Sequence, residues 1–304
     1  MKLEDACTEL RYAKDWSAQS AAWYRRRLGQ FVRWCADQQI TQLEAVAPFL
    51  VRRYLDYLKT RKNERTGLTL DSYTVHGHIA AIRTLLFWAA AEGLIDEKIP
   101  QKIKPPKREK KVLEVLTERE LDLLFQAASE TKTPLRDTAL LSLLLDTCVR
   151  ASELCGVKLS EVHFEPDSAW ILVHGKGRKQ RPVALGKRAR LALSRYLHRE
   201  RDDNSASEYL FLGHKGPLRY EGLERLLYRL RDMAGADKFA VTVAPHRWRH
   251  THAVMRLMNG EDIYTVSRGM GHADIGVTTN YLKSLSDYKL MEKSRISPLD
   301  LIRS

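Results

Sequence analysis

Four side chains between Pro245 and Tyr281 have the chemistry to hold a phosphodiester and attack it: His246, Arg249, His272 and Tyr281. They stand in PHRWRHTHA and, beyond a helical stretch, in GMGHADIGVTTNYLK. A guanidinium forks onto two phosphate oxygens. An imidazole exchanges a proton near neutral pH. A phenol, with an ordinary pKa near ~10, attacks once something takes its proton. His246 and Arg249 are three residues apart and share a helix face. Taken by itself, Tyr281 reads as a buried aromatic with a bonded hydroxyl. His246, His250 and His252 also raise a metal site. No HExxH spacing is present, and Arg247 and Arg249 would repel a cation, so no metal is expected.

The elements that must position these groups lie upstream. Thr117-Glu118-Arg119-Glu120 is a capping box ahead of Leu121, Leu124 and Phe125. LRDTALLSLLLDTC, about 135–148, is a helix made for the core. Arg150 follows it, and Ser152 is placed to cap the next short helix. An arginine at the rim of a core needs an anionic partner. Either a phosphate or a structural salt bridge to Glu153 or Glu161 would serve. The period then changes to two short strands, 169–173 and 181–185, around HGKGRKQ, with Lys176 between Gly175 and Gly177. The GxxxxGK[ST] spacing is missing and the loop joins two strands, so a P-loop is rejected. Helices are expected at 187–199, 219–234 and 246–258, with a strand at Tyr209–Leu212. Ala273-Asp274 open a further helix carrying Tyr281. The fold class is mainly α with a small antiparallel sheet.

The first hundred residues carry no catalytic cluster. Ser17 caps a helix over 17–38 whose apolar row is Tyr24, Leu28, Phe31 and Cys35. A second helix spans 46–62 with Val51, Leu55 and Leu58; a third spans 71–92 with Val75, Ile79, Ile82 and Leu86, stopped by Gly93. Arg25, Arg26 and Arg27 fan around the first of these. A solvated face and a phosphate-contacting face fit them equally. QKIKPPKREKKVL, 101–113, breaks the helical pattern with Pro105-Pro106 and carries Lys107, Arg108, Lys110 and Lys111. About ten extended residues reach ~35 Å, enough to pass from one side of a duplex to the other; an ordinary solvated hinge is the plainer reading.

Composition bounds the function classes. The chain has 304 residues, 44% of them apolar, so wholesale disorder is excluded. The 51 basic against 38 acidic residues give a net charge of +13, which favours a polyanionic partner. No apolar run reaches the ~18 residues of a membrane helix, and the first residues lack a signal core. A cytoplasmic, nucleoid-associated protein is expected. Cys7, Cys35, Cys148 and Cys155 form no CxxC pair and read as small apolar residues in a reducing cytosol, with a zinc site the weaker alternative.

In order along the chain these motifs resemble those of the tyrosine recombinases, the phage integrase family, most closely its Xer-like members without an arm-binding domain. VRASEL with Arg150 is similar to LRxSEL, and GKGRKQR with Lys176 to GKGxKxR. PHRWRHTHA with His246 and Arg249 is similar to PHxLRHxxA, and GMGHAD with His272 to LGHxD. Tyr281 stands nine residues beyond that histidine, the family's spacing. Each motif is weak; the ordered set is specific and spans nearly the whole chain. Trp248 replaces a usual leucine, and Gly269 a usual apolar residue, so Arg268–Gly271 is expected to be flexible.

The resemblance implies an N-terminal helical core-binding domain over 1–104, a basic linker over 105–113 and a catalytic domain over 114–304, together clamping double-stranded DNA at a recombination site. It implies Tyr281 as nucleophile, Arg150 and Arg249 on the scissile phosphate, and His272 donating to it. His246 is then the general base and Lys176 the acid for the leaving 5′-oxygen. DNA contacts are expected from Arg25, Arg26, Arg27, Lys107, Arg108, Lys110, Lys111, Arg178 and Lys179. The product is a 3′-phosphotyrosyl link, and exchange runs through a Holliday junction in a homotetramer, with no cofactor, ATP or metal. An accessory or companion recombinase is compatible with this plan, and no membrane partner is expected. Ile296, Leu299, Leu301 and Ile302 form an apolar set that suits a neighbouring protomer or the chain's own domain equally. The activity the resemblance implies is of the integrase or transposase type; the rival readings are Xer-type resolution of chromosome or plasmid dimers, a type IB topoisomerase or telomere resolvase, and a non-catalytic DNA-binding regulator.

Overall fold

The computed structural model describes residues 1–62, 67–107, 114–175, 179–201, 207–271, 276 and 279. Backbone contacts divide the chain into two compact units, Met1–Lys111 and Val112–Ser304.

The first unit is helical: α1 (Leu3–Ala13), α2 (Ala18–Asp37), α3 (Pro48–Thr60), α4 (Ser72–Ala91) and the single turn α5 (Lys98–Gln101). The starts are chemically marked. Ser17 Oγ accepts from the Ser20 N–H at 3.3 Å and Asp71 from the Thr74 N–H at 2.6 Å, while Pro48 opens α3 where no N–H is needed. α4 ends in a Schellman motif. Gly93 takes φ 70°, its N–H reaches the Ala90 carbonyl, and the Leu94 N–H reaches Ala89. The expected α4 row of Val75, Ile79, Ile82 and Leu86 is buried. On α3 the phase is shifted: Tyr54 is fully buried, with its hydroxyl 3.3 Å from His78 Nδ1, and Leu55 is only half-buried. On α2, Leu28, Phe31 and Cys35 are buried; Tyr24 instead stacks on Trp16 with ring centroids 3.9 Å apart. Helix α1 was not expected. Its row of Leu3, Ala6 and Leu10 is buried within an otherwise polar segment.

The second unit begins with α6 (Glu118–Ser129), α7 (Pro134–Thr147) and α8 (Ala151–Cys155). Strands β1 (Val162–Phe164), β2 (Ala169–His174) and β3 (Gln180–Ala184) form an antiparallel sheet in that order. There follow α9 (Lys187–Arg199), a small hairpin of β4 (Leu212–Gly213) and β5 (Gly216–Pro217), α10 (Tyr220–Ala234), α11 (Pro245–Met258) and α12 (Ile263–Met270). The capping box forms: Glu120 Oε2 accepts the Thr117 N–H at 2.8 Å, and Thr117 Oγ1 the Glu120 N–H at 3.2 Å. α7 is the hub, with Leu140, Leu141, Leu143 and Leu144 packed into a core shared with Leu124 of α6, Leu193 of α9 and Leu227 of α10. A buried carboxylate stands among these helices. Asp137 is fully buried and is held by Arg136 at 2.7 Å.

Three local expectations differ from the structure. Ser152 does not cap α8; it is exposed inside the helix, Arg150 is the N-cap residue, and Glu153 Oε2 accepts the Arg150 N–H at 2.9 Å. The strand expected over Tyr209–Leu212 reduces to a bridge from Tyr209 to Lys158 and the arm β4: the Leu210 N–H reaches the Val157 carbonyl at 2.8 Å, whereas the Phe211 carbonyl already accepts from the Leu218 N–H at 2.9 Å, so the segment changes partner midway. Strand β1 was not foreseen, and its three residues pair with Ala169–Ile171 of β2. Mostly helical with a small antiparallel sheet, the fold is of the expected class.

Candidate active site

Arg150 and Arg249 are 99 positions apart, and packing of α11 against the end of α7 brings their neighbourhoods together. The Arg249 guanidinium is 6% exposed; Nη1 donates to the Cys148 carbonyl at 2.6 Å and Nη2 to the Met270 carbonyl at 2.5 Å. One fork thus joins two backbone segments, the first two residues before Arg150 and the second two residues before His272. A second contact fixes the same seam. His252 Nδ1 lies 2.6 Å from the Leu145 carbonyl, and burial lowers the pKa of this imidazole, so it is a neutral donor inside the fold. Cys148 takes a left-handed φ of 54° as the C-cap of α7, which turns the chain sharply towards Arg150.

Helix α11 divides its faces among these tasks. Pro245 starts it, and His246 is exposed on its first turn, one turn before Arg249. Trp248, where a leucine was expected, is fully buried and meets Phe125 edge-on at 6.4 Å. Arg247 donates to the Glu114 carbonyl, and the Thr251 hydroxyl accepts from the Leu116 N–H at 3.0 Å. The helix is therefore clamped on two sides, leaving the His246 edge open.

Arg150 does have the salt bridge considered from sequence, to Glu153 and not to Glu161. Its Nη1 lies 2.8 Å from Glu153 Oε1, while Glu161 pairs with His174. The bridge does not consume the arginine: its side chain is 41% exposed, and Nε and Nη2 have no partner among the described residues. Glu153 is 4% exposed and also receives Arg181, at 2.8 Å from Nη2 and 3.3 Å from Nη1. Burial pushes this carboxyl up, but the hydrogen bonds from Arg181 and Arg150 outweigh it and hold it below the usual carboxylate range. Arg181 was missed as a site residue. A signal was available: with Val183 and Leu185 it shares one face of a strand, and an inward-facing cation demands a buried acid.

The turn into the His272 segment is ordered differently from expectation. Gly269 lies in the last turn of α12, where an added Cβ would meet nothing closer than 3.8 Å, so Arg268–Met270 is regular helix. The break falls at Gly271, with φ 65°. The left-handed φ favours glycine, and an added Cβ would lie 3.2 Å from Arg181 Cζ, so the guanidinium would have to give by a few tenths of an ångström.

Lys176, Arg178, His272 and Tyr281 lie outside the described residues, as do Arg108, Lys110, Lys111 and the set Ile296, Leu299, Leu301 and Ile302. Gly175 and Lys179, at the root of the hairpin, are joined by an N–H to carbonyl bond of 2.8 Å. Lys179 and Lys107 are exposed, and the Pro106 carbonyl is held 2.9 Å from His76 Nδ1. Arg25 and Arg26 are exposed. Arg27 departs from them: its guanidinium stacks on Trp23 at 3.9 Å and seats against Gly77 of α4, a packing role. A groove of about 930 Å³ between the β4–β5 hairpin and α10, lined by Arg136, Lys215, Arg219, Arg225 and Arg229, was not anticipated. Spacing of the arginines along α10 was the signal. Among the described residues, no helix is long and apolar enough to cross a membrane.

Comparison with known proteins matches this arrangement. The Phage integrase family model covers residues 114–287, and that of the Phage integrase, N-terminal SAM-like domain covers 7–93. The chain is 34% identical over 281 residues to Tyrosine recombinase XerC of Bacillus pumilus, covering 90% of this chain and 88% of that protein. Its fold is that of XerH site-specific recombinase bound to palindromic difH substrate, with a TM-score of 0.74 at 19% identity, covering 96% of this chain and 83% of the other. It is equally that of the Tn1549 transposon integrase in complex with a circular intermediate DNA, with a TM-score of 0.73 at 17% identity, covering 96% and 99%. With two family models in register with the two units and an XerC relative along nine-tenths of its length, the chain belongs to the phage integrase family and is a site-specific tyrosine recombinase.

Proposed function

We propose that Tyr281 attacks the scissile phosphate of a double-stranded recombination site, giving a 3′-phosphotyrosyl link and a free 5′-hydroxyl. The observation that carries this reading is the Arg249 fork, which ties the backbone beside Arg150 to the backbone beside His272. Arg150 presents Nε and Nη2 to the phosphate. Arg249 supplies the second guanidinium; its bonds to the Cys148 and Met270 carbonyls are to neutral groups and do not neutralise its charge. The two cations stabilise the charge that grows on the non-bridging oxygens, and His272 adds a donor. His246, on the open edge of α11, accepts the phenolic proton, and Lys176 protonates the leaving oxygen. The new phosphodiester conserves the energy of the old one, so another strand's 5′-hydroxyl can reseal it without ATP.

The division into a core-binding domain over 1–104, a linker over 105–113 and a catalytic domain over 114–304 belongs to this reading. DNA is held by Arg25, Arg26, Lys107, Arg108, Lys110, Lys111, Arg178 and Lys179, joined by the cationic groove beside α10; Arg27 acts through packing. A homotetramer on two synapsed sites, exchanging strands through a Holliday junction in the cytoplasm, completes it. The likeness to XerC favours exchange between paired sites of the Xer type; integration and excision by a mobile element is the other reading, towards which the departures from the family's motifs at Trp248 and Gly269 point. Two-site exchange on DNA cloned from around the gene tests the function. Recombinant products are expected, and relaxation of supercoils without them would instead indicate a type IB topoisomerase.

A further inference from the structure

The Arg181 guanidinium is enclosed on three sides. Glu153 binds both of its terminal nitrogens. On the second side is Gly175, where an added Cβ would lie 3.7 Å from Nη1; on the third is Gly271, where an added Cβ would lie 3.3 Å from Nε. Gly175 precedes Lys176, Gly271 precedes His272, and Glu153 holds Arg150 by both backbone and side chain. We propose that Arg181 is a positioning residue for strand cleavage: it locks Glu153 and so presents Arg150 to the scissile phosphate with its positive charge undiminished. This rests on the reading of Arg150 as part of the phosphate clamp.

Two guanidiniums share one carboxylate, so the trio keeps a net positive charge of one. Without Arg181, Glu153 would face Arg150 alone, and the pair would be neutral just where negative charge develops. Arg181 is assigned to Glu153 and not to the phosphate, because its partner is a carboxylate that pairs with its charge, where Arg249 meets neutral carbonyls. Both terminal nitrogens are engaged by Glu153, its side chain is only 21% exposed, and its buried Nε has no partner among the described residues. Pairing fixes its height: Arg181 stands opposite Val173 on β2, so the guanidinium extends from the root of the hairpin and not from its tip. Two glycines stand against this one side chain, and at Gly271 a methyl group would press into the guanidinium.

The test is single-turnover cleavage of a nicked suicide duplex, alongside gel retardation of an intact site. Arg181→Gln is expected to slow cleavage at least about tenfold, since a weakened donor costs less than the loss of one, while duplex affinity stays within about twofold, because no phosphate contact is lost. Arg181→Lys, which keeps the charge, is expected to lie between wild type and Arg181→Gln, and guards against a folding defect. The decisive variant combines Arg181→Gln with Glu153→Gln. Removing both charges returns the net charge of the site to one, so the double variant is expected to cleave faster than Arg181→Gln alone. Additive losses in the double variant, an unaltered rate in Arg181→Gln, or a tenfold loss of duplex affinity would each overturn the proposal. If wild type forms no adduct, the proposed function itself fails and this inference falls with it; adducts from wild type and Arg181→Gln at equal rates overturn this inference alone.

Discussion

Replacing Arg249 with lysine separates the two jobs assigned to this side chain. In the structure its fork spans two carbonyls, Cys148 at 2.6 Å and Met270 at 2.5 Å, from a site 6% exposed. An ammonium is a single point and satisfies one of them. Losing one charge-assisted bond, with a carbonyl left short of a donor, costs about 2–3 kcal/mol. For a domain of this size each kcal/mol lowers Tm by about 2–4 °C, so the melt of the second unit should fall by about 4–12 °C. A domain stabilised by about 5–15 kcal/mol stays folded at 25 °C after such a loss. Unfolding therefore cannot explain a large fall in cleavage, whereas losing a forked donor to the transition state lowers the rate by about 10²–10³. Melting followed by circular dichroism and adduct formation on a nicked duplex read the two effects separately. An unchanged Tm would refute the bridging role; an unchanged cleavage rate would refute the placement of Arg249 at the phosphate.

Further outcomes follow from buried groups and from two neighbouring glycines. Burial lowers the His78 pKa from 6.5 to about 4, so the folded unit binds a proton later than the unfolded chain does. Stability is then complete above pH 6.5 and falls as pH drops through the window down to about 4, by about 3 kcal/mol in all. His78→Gln should flatten that limb in pH-dependent melts, and an unchanged slope would show that His78 is not its source. Gly271→Ala should destabilise by about 1–2 kcal/mol, from the left-handed φ, and slow cleavage by displacing Arg181. Two residues earlier, Gly269→Ala has helical backbone and open space and should be neutral or stabilising by up to about 1 kcal/mol. Equal effects at the two glycines would contradict the assigned geometry.

What was legible from sequence was what local chemistry specifies. The capping box at Thr117, the cap Ser17, the apolar row of α4 and the Gly93 stop each depend on residues within a few positions of one another. Helix α1 was missed because its buried row has only three small or medium apolar residues in a charged segment, so tertiary packing decides it. Tyr54 displaced Leu55 from the core because its hydroxyl finds His78, a partner on another helix. The same limit applies at the site. The motifs named Arg150, His246 and Arg249, but nothing local says that Arg249 reaches Cys148, 101 residues away, or that Glu153 is shared with Arg181, 28 residues away. Glu153 was weighed only as a competitor for Arg150, whereas it holds that arginine by its backbone N–H and one guanidinium nitrogen and, among the described residues, nothing takes the other two.

The central claim is that Tyr281 is the nucleophile of a clamp built on Arg150 and Arg249, and a nicked suicide duplex incubated in excess chelator tests it most directly. Wild type should give a detergent-resistant protein–DNA adduct carried on a 3′-phosphate, and Tyr281→Phe should bind the same duplex and give none. An adduct that persists in Tyr281→Phe, or one that forms in wild type only when divalent metal is restored, would contradict the account.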